Sequence, residues 1–135
     1  MEEVLEEIKK KVRENTVICF DMFDTLVARS CYPDYTKEAW AIHLSSLLDQ
    51  PEKAEDFIAQ RFSIEKSIAE KNQSIHGESE YRHQEIAEAF YDYCHPEMSK
   101  SAFVELCTRL EVSIEKKVQH VKPGVLDVLK YCKKE

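Results

Sequence analysis

"TVICFDMFDTLVAR", residues 16–29, is the stretch that most directly constrains the fold. Its first five residues are apolar or β-branched without alternation, which predicts a strand buried on both faces, as in parallel sheets covered by helices. Asp21 follows that strand directly, and Asp24 and Thr25 come just after it. Because open α/β sheets bind ligands at the carboxyl ends of their strands, this position predicts a functional carboxylate.

The composition is that of an ordinary globular protein with long helices. The 135 residues are 43% hydrophobic and 33% charged, and they include only two glycines and four prolines. Such a scarcity of turn residues disfavours an all-β fold. The formal net charge of −7 argues against nucleic acid as a partner, because phosphate binding requires a basic surface.

Targeting, membrane and cysteine signals all favour the cytoplasm. The N-terminal stretch lacks the apolar core of a signal peptide, and no run approaches the ~18 apolar residues of a membrane span. The five cysteines have no CxxC spacing, so they predict neither a zinc site nor a secreted disulfide framework. We therefore predict a cytoplasmic protein without membrane partners.

Apolar residues at helical spacing predict one helix before the opening stretch and five after it. Residues 2–14 form the first helix. Four more, marked by Trp40, Phe57, Phe90 and Phe103, follow one another over nearly ninety residues and predict an antiparallel bundle. A last helix begins after "Pro123-Gly124". The chain is thus predicted to be mainly α, with a four-helix bundle, one core strand and flanking helices.

The predicted strand, residues 16–20, has no second strand to pair with in the sequence. A lone strand exposes two edges that invite association. We expect it to pair with a second copy of the chain, to be covered by the chain's own helices, or to lose its strand conformation. A homodimer would form through this strand or through the helical bundle.

The motif "Phe20-Asp-Met-Phe-Asp-Thr-Leu26" resembles the first motif of the haloacid-dehalogenase-like hydrolase superfamily, usually Asp-x-Asp-x-Thr-Leu after an apolar strand. The helical region and the "Lys122-Pro-Gly-Val" helix after it resemble that family's helical cap and its return to the core. Together with Arg29, "Arg61-Phe-Ser-Ile-Glu65-Lys" resembles a bacterial subgroup of predicted hydrolases, some joined to glycosyltransferase or polysaccharide-synthesis proteins.

This resemblance implies an α/β parent fold, a Rossmann-like core with a helical cap. Residues 1–30 would be the first piece of the core, with helix, strand and motif loop. Residues 31–118 would form the cap, and residues 119–135 would return to a core that is incomplete in this sequence. The implied chemistry is Mg²⁺-dependent hydrolysis of a small phosphorylated metabolite through an aspartyl intermediate.

The resemblance also assigns roles to individual residues. Asp21 would be the nucleophile and a Mg²⁺ ligand, and the main-chain carbonyl of Phe23 would be a second ligand. Thr25 would hold the motif loop at the substrate. Asp24 is a candidate acid/base, with a turn cap as the alternative. Arg29 would contact an anionic substrate or form a structural ion pair.

Two departures from the family pattern limit the expected activity. Phe23 stands where the usual second aspartate, the general acid/base, would be. The family's Ser/Thr phosphate ligand, lysine and acidic metal-binding pair are not in this sequence, so we expect negligible phosphatase activity from this chain alone. The alternatives are a non-catalytic helical binding or assembly module, and a dehalogenase-like hydrolase.

Overall fold

The computed structural model describes residues 2–14, 17–22 and 25–133. The chain divides into two compact units. The terminal unit comprises Met1–Ser30 and Val118–Glu135, and the helical unit comprises Cys31–Lys117.

The described residues are mainly helical, as the apolar spacing predicted. The terminal unit contains α1 (Glu2–Arg13) and α6 (Val125–Cys132). The helical unit contains α2 (Pro33–Leu47), α3 (Ala54–His76) and α4 (His83–Cys94), and α5 (Lys100–Val118) ends at its boundary. None of these helices is both long enough and apolar enough to cross a bilayer.

The helical unit has a core to which all four of its helices contribute. Phe90 lies at its centre, and its ring meets those of Trp40 and Phe57 edge to face, each with centroids 5.2 Å apart. The indole Nε1 of Trp40 donates a hydrogen bond to the Cys107 carbonyl at 3.2 Å, which joins α2 to α5. The fully buried apolar side chains are Trp40, Ala41, Leu44, Phe57, Ile86, Ala87, Phe90, Phe103 and Cys107.

Local signals in the sequence determine where these helices begin and end. The backbone N–H of Arg82 donates to the Glu85 carboxylate at 2.8 Å, which satisfies a donor at the start of α4. Helix α3 ends at Gly77, whose φ of 76° is the left-handed conformation that glycine adopts without strain. Helix α4 ends in the same way at His95, where φ is 43°.

The terminal unit pairs two short strands that the sequence did not reveal. Strand β1 (Val27–Arg29) and strand β2 (Gln119–Val121) are antiparallel, with Val27 opposite Val121 and Arg29 opposite Gln119. Helices α1 and α6 contact each other, and each buries one valine, Val12 and Val128. Three-residue strands are too short to show a period-two pattern, which explains why they were missed.

The predicted core strand at residues 16–20 is wrong over its described part. Residues 17–20 have no regular secondary structure, and the Val17 side chain is 75% exposed. A strand requires a neighbour to accept and donate its backbone hydrogen bonds, and the described residues provide none beside this segment. Of the three expectations for this segment, loss of strand conformation is the one observed.

Candidate functional site

Asp21 lies in the terminal unit, exposed to solvent, immediately before a tight turn. The Met22 carbonyl accepts hydrogen bonds from the backbone N–H groups of Leu26 at 3.0 Å and Val27 at 2.9 Å. This turn leads directly into β1. An exposed carboxylate ahead of a hydrogen-bonded turn is accessible to a solute. A nucleophile must be accessible to its substrate in this way.

Two of the other predicted site residues, Thr25 and Arg29, lie in this turn and in the strand after it. Thr25 lies in the turn and is exposed, and Arg29 ends β1 with a half-buried side chain. Phe23 and Asp24, predicted as a metal-binding carbonyl and an acid/base, lie outside the described residues. The roles predicted for these four residues therefore stay predictions.

The helical unit is inserted between the two paired strands of the terminal unit. The chain leaves the terminal unit at Ser30 and returns at Val118, and the Ser30 N–H donates to the Val118 carbonyl at 2.8 Å. On the other side of the strand pair, the Lys122 N–H donates to the Leu26 carbonyl at 3.0 Å. Both connections to the insertion are thus joined by a backbone hydrogen bond at the end of the strand pair that Arg29 and Gln119 form.

The fit of the described residues to Mg²⁺ is limited. No group of three or more histidine, cysteine or acidic side chains in the described part of the chain could hold a metal ion. Asp21 would contribute one carboxylate, and Mg²⁺ commonly takes one or two carboxylates with water and substrate oxygens completing six positions. The described residues alone therefore do not form a metal centre, and no reaction step below depends on the ion.

Apolar side chains are exposed on the terminal unit, near the motif and on α6. Met22 is 56% exposed and Leu126 is 57% exposed, and Val17, Val121 and Leu129 are also accessible. In contrast, the apolar interior of this unit is small, with Val12 and Val128 the buried side chains among its described residues. A domain that folds alone ordinarily buries such residues in one shared core.

A second cluster of ionisable groups, missed from the sequence, lies inside the helical unit. Arg61 is 3% exposed, and its Nε donates to Glu65 Oε1 at 2.8 Å, while its Nη2 lies 3.5 Å from Glu111 Oε1. Lys37 Nζ lies 2.7 Å from Glu65 Oε2, and His83 Nδ1 lies 3.7 Å from Glu111 Oε2. We call these five residues the buried charge cluster.

The aromatic core forms one wall of the buried charge cluster. The Arg61 guanidinium carbon lies 4.5 Å from the centre of the Trp40 ring, a cation–π contact. The imidazole of His83 meets the same indole edge to face, with centroids 6.1 Å apart. Trp40 is the chain's single tryptophan, so its fluorescence reports directly on this cluster.

Burial changes the acidity of two members of the buried charge cluster. Desolvation, together with the nearby Arg61 charge, lowers the pKa of His83 to about 4, so the imidazole is neutral at pH 7. Desolvation also raises the pKa of Glu111, although the Arg61 charge opposes that rise. Only the Arg61–Glu65 spacing of four residues was visible in the sequence, since it is the spacing of a helical ion pair.

A polar groove of about 510 Å³ lies elsewhere on the helical unit, between the end of α3 and the start of α4. Two of its lining amides have partners: Asn72 Nδ2 donates to the Glu80 carbonyl at 2.7 Å, and Gln84 Nε2 donates to Glu88 Oε1 at 2.7 Å. The buried polar atoms without a partner among the described residues all lie outside this groove. The groove therefore presents no orphaned group that indicates a ligand.

Comparison with known proteins adds no assignment to this geometry. No protein-family model matches the chain, and a search of curated proteins finds no significantly similar sequence.

Proposed function

We propose that this chain is the N-terminal part of a haloacid-dehalogenase-like hydrolase in which Asp21 is the nucleophile and residues 31–118 are the cap. One observation carries the proposal: a complete helical unit is inserted between two paired strands directly after the turn that follows Asp21. The insertion leaves the terminal unit at Ser30, soon after Asp21 along the chain. A helical unit inserted at this point of the chain suits the cap that the family resemblance implies.

The proposed chemistry is hydrolysis of a phosphate monoester on a small metabolite. A carboxylate oxygen of Asp21 attacks phosphorus, the bond from phosphorus to the leaving oxygen breaks, and the leaving oxygen takes a proton from water. Water then attacks the aspartyl phosphate, which releases inorganic phosphate and restores the carboxylate. A bound Mg²⁺ would neutralise charge on the phosphoryl oxygens.

The exposed apolar surface of the terminal unit supports the view that this unit is part of a larger core. Leu126 and Leu129 lie on α6, and Val17 and Met22 flank the candidate nucleophile. Burying a side chain of this size contributes about 1.5–3 kcal/mol, so further core elements that cover these residues would stabilise the unit considerably. The cytoplasmic location and the metabolite substrate remain predictions.

Activity assays on two proteins test this proposal. We expect the 135-residue chain to show negligible hydrolysis of p-nitrophenyl phosphate with Mg²⁺, since it contains no lysine motif or acidic pair of the family. The longest reading frame that contains the chain should hydrolyse phosphate esters, and Asp21→Asn should lower its turnover by about 10⁴-fold or more. Asp127→Asn, an exposed aspartate in the same unit, is the matched control and should retain turnover.

The alternative function is a non-catalytic binding or assembly module, which the self-contained core of the helical unit favours. The DNA downstream of the chain distinguishes the two. A strand ending in serine or threonine, a lysine and an acidic pair would support the hydrolase. Their absence, together with no phosphatase activity, would contradict the hydrolase and support the module. A dehalogenase would instead cleave carbon–halogen bonds in a substrate screen.

A further inference from the structure

Four buried polar atoms of the buried charge cluster make no hydrogen bond of ordinary geometry with the described residues, although the His83 ring lies close to the Cys107 backbone. They are Arg61 Nη1, His83 Nδ1, His83 Nε2 and Glu111 Oε2. They come from α3, α4 and α5: Arg61 and His83 contact Trp40, and Glu111 contacts Arg61. Buried polar atoms in folded proteins nearly always have a partner, and leaving one unsatisfied costs about 1–3 kcal/mol. These atoms therefore indicate a ligand.

The charges of the cluster show that this ligand is neutral. Lys37 and Arg61 are balanced by Glu65 and Glu111, and the imidazole of His83 is neutral at pH 7. An added anion would lie beside two carboxylates, and an added cation would lie beside a guanidinium. Because an uncompensated charge is expensive to bury, neither ion is favoured.

The hydrogen-bonding roles of the atoms narrow the ligand further. Arg61 Nη1 only donates, and Glu111 Oε2 only accepts while the carboxylate is ionised. The neutral imidazole of His83 has one nitrogen that donates and one that accepts. A ligand that satisfies these atoms must therefore both accept and donate hydrogen bonds.

Enclosure limits the ligand's size. None of the four atoms reaches the surface, although the side chains of His83 and Glu111 are each 23% exposed through their other atoms, and the neighbouring Trp40 side chain is fully buried. We propose that the buried charge cluster contains an internal water site, in which one water accepts a hydrogen bond from Arg61 Nη1 and donates to Glu111 Oε2 beside His83. This water joins α3 to α5 beside α4 and is part of the packed interior of the unit.

Oxygen-17 magnetic relaxation dispersion on the full chain tests this proposal, because it counts waters that remain bound far longer than surface waters. Glu111→Gln keeps an acceptor at the same place and should retain the wild-type count. The double variant Arg61→Met with Glu111→Met removes one charge of each sign and should lose one long-lived water. Equal counts in the wild type and the double variant would overturn the proposal.

A crystal structure of the wild-type chain at high resolution provides an independent test that does not depend on the double variant's folding. The expected result is a density peak of water size within hydrogen-bond distance of Arg61 Nη1 and Glu111 Oε2. A direct hydrogen bond between His83 and Glu111 with no peak beside them would overturn the proposal, as would an anion or metal ion at that place.

Discussion

Arg61→Met should destabilise the helical unit more than any surface substitution. Arg61 is 3% exposed and lies between Glu65 and Glu111, so its loss leaves the largely buried Glu111 side chain, which is 23% exposed, without its cation, while Lys37 still pairs with Glu65. Removing one partner of a buried ion pair typically costs about 3–5 kcal/mol. Loss of the contact with Trp40 acts in the same direction. We therefore expect a loss of about 3–5 kcal/mol in the free energy of unfolding.

Urea unfolding at pH 7, followed by far-ultraviolet circular dichroism and by Trp40 fluorescence, measures this loss. Lys66→Met is the matched control, because Lys66 is on the same helix with a side chain 78% exposed and lies 3.9 Å from Glu70. It should change stability by less than about 0.5 kcal/mol. A protein of ordinary stability has a free energy of unfolding of about 5–15 kcal/mol. The stability of Arg61→Met can therefore be measured even if this variant is close to the limit of folding.

The double variant Arg61→Met with Glu111→Met separates loss of packing from loss of charge balance. If the unpaired Glu111 carboxylate causes the loss of stability in Arg61→Met, the double variant should recover much of that stability. The reason is that replacing a buried ion pair by apolar side chains is often neutral in free energy. An Arg61→Met loss below about 1 kcal/mol would refute the reasoning, because a buried, paired guanidinium cannot be removed so cheaply.

Three further predictions concern His83, the end of α4 and Asp21. Because the pKa of His83 is about 4 in the folded chain and 6.5 in its ordinary state, stability from this group is present above pH 6.5 and is lost as pH falls toward 4. Discounted for the partial exposure of His83, the loss in the free energy of unfolding is about 1–3 kcal/mol, and it should vanish in His83→Phe. The raised pKa of Glu111 acts in the opposite direction in both the wild type and His83→Phe. The measurement is therefore the difference between the pH profiles of stability of these two proteins. His95 has a left-handed backbone conformation that glycine adopts without strain, so His95→Gly should raise the free energy of unfolding by about 0.5–1 kcal/mol. The control His43→Gly lies inside α2 and should lower the free energy of unfolding by about 1 kcal/mol. Equal shifts in the two variants would contradict this account of the α4 terminus. Asp21→Asn should have a free energy of unfolding within about 0.5 kcal/mol of the wild-type value in thermal unfolding, because Asp21 is exposed. A larger loss of stability would mean that Asp21 has a structural role.

The helices were predictable because their signal is local. Trp40 and Leu44 are four residues apart and both are fully buried on α2, as the apolar spacing predicted. Periodicity depends on the chain's own geometry, so it needs no knowledge of what a helix packs against. The mainly α character of the chain was therefore available from the sequence.

The strands were not predictable in the same way, because a strand depends on a distant partner. Residues 17–20 have the composition of a buried strand, yet nothing in the described chain pairs with them, and they adopt no regular structure. The strands that do form, β1 and β2, are about ninety residues apart in sequence and three residues long each. Composition predicts which residues tolerate a sheet, but not whether a neighbour is present.

The candidate site was partly predictable. Asp21 was identified from its position after an apolar run, and the structure adds the turn after it and the paired strands around the insertion. The buried charge cluster was hidden because Arg61 and Glu65, four residues apart, have the pattern of a surface pair. Only the contacts with Trp40 and Glu111, from two other helices, make that pair a buried one.

The central claim, that Asp21 is the nucleophile of a hydrolase, is tested most directly by trapping the intermediate. The longest reading frame containing the chain would be mixed with a phosphate ester and Mg²⁺, treated with borohydride during turnover, and digested for mass spectrometry. Borohydride reduces an aspartyl phosphate to homoserine, so we predict homoserine at position 21 and nowhere else, in the wild type but not in Asp21→Asn. Continued turnover with an unmodified Asp21 would contradict the claim.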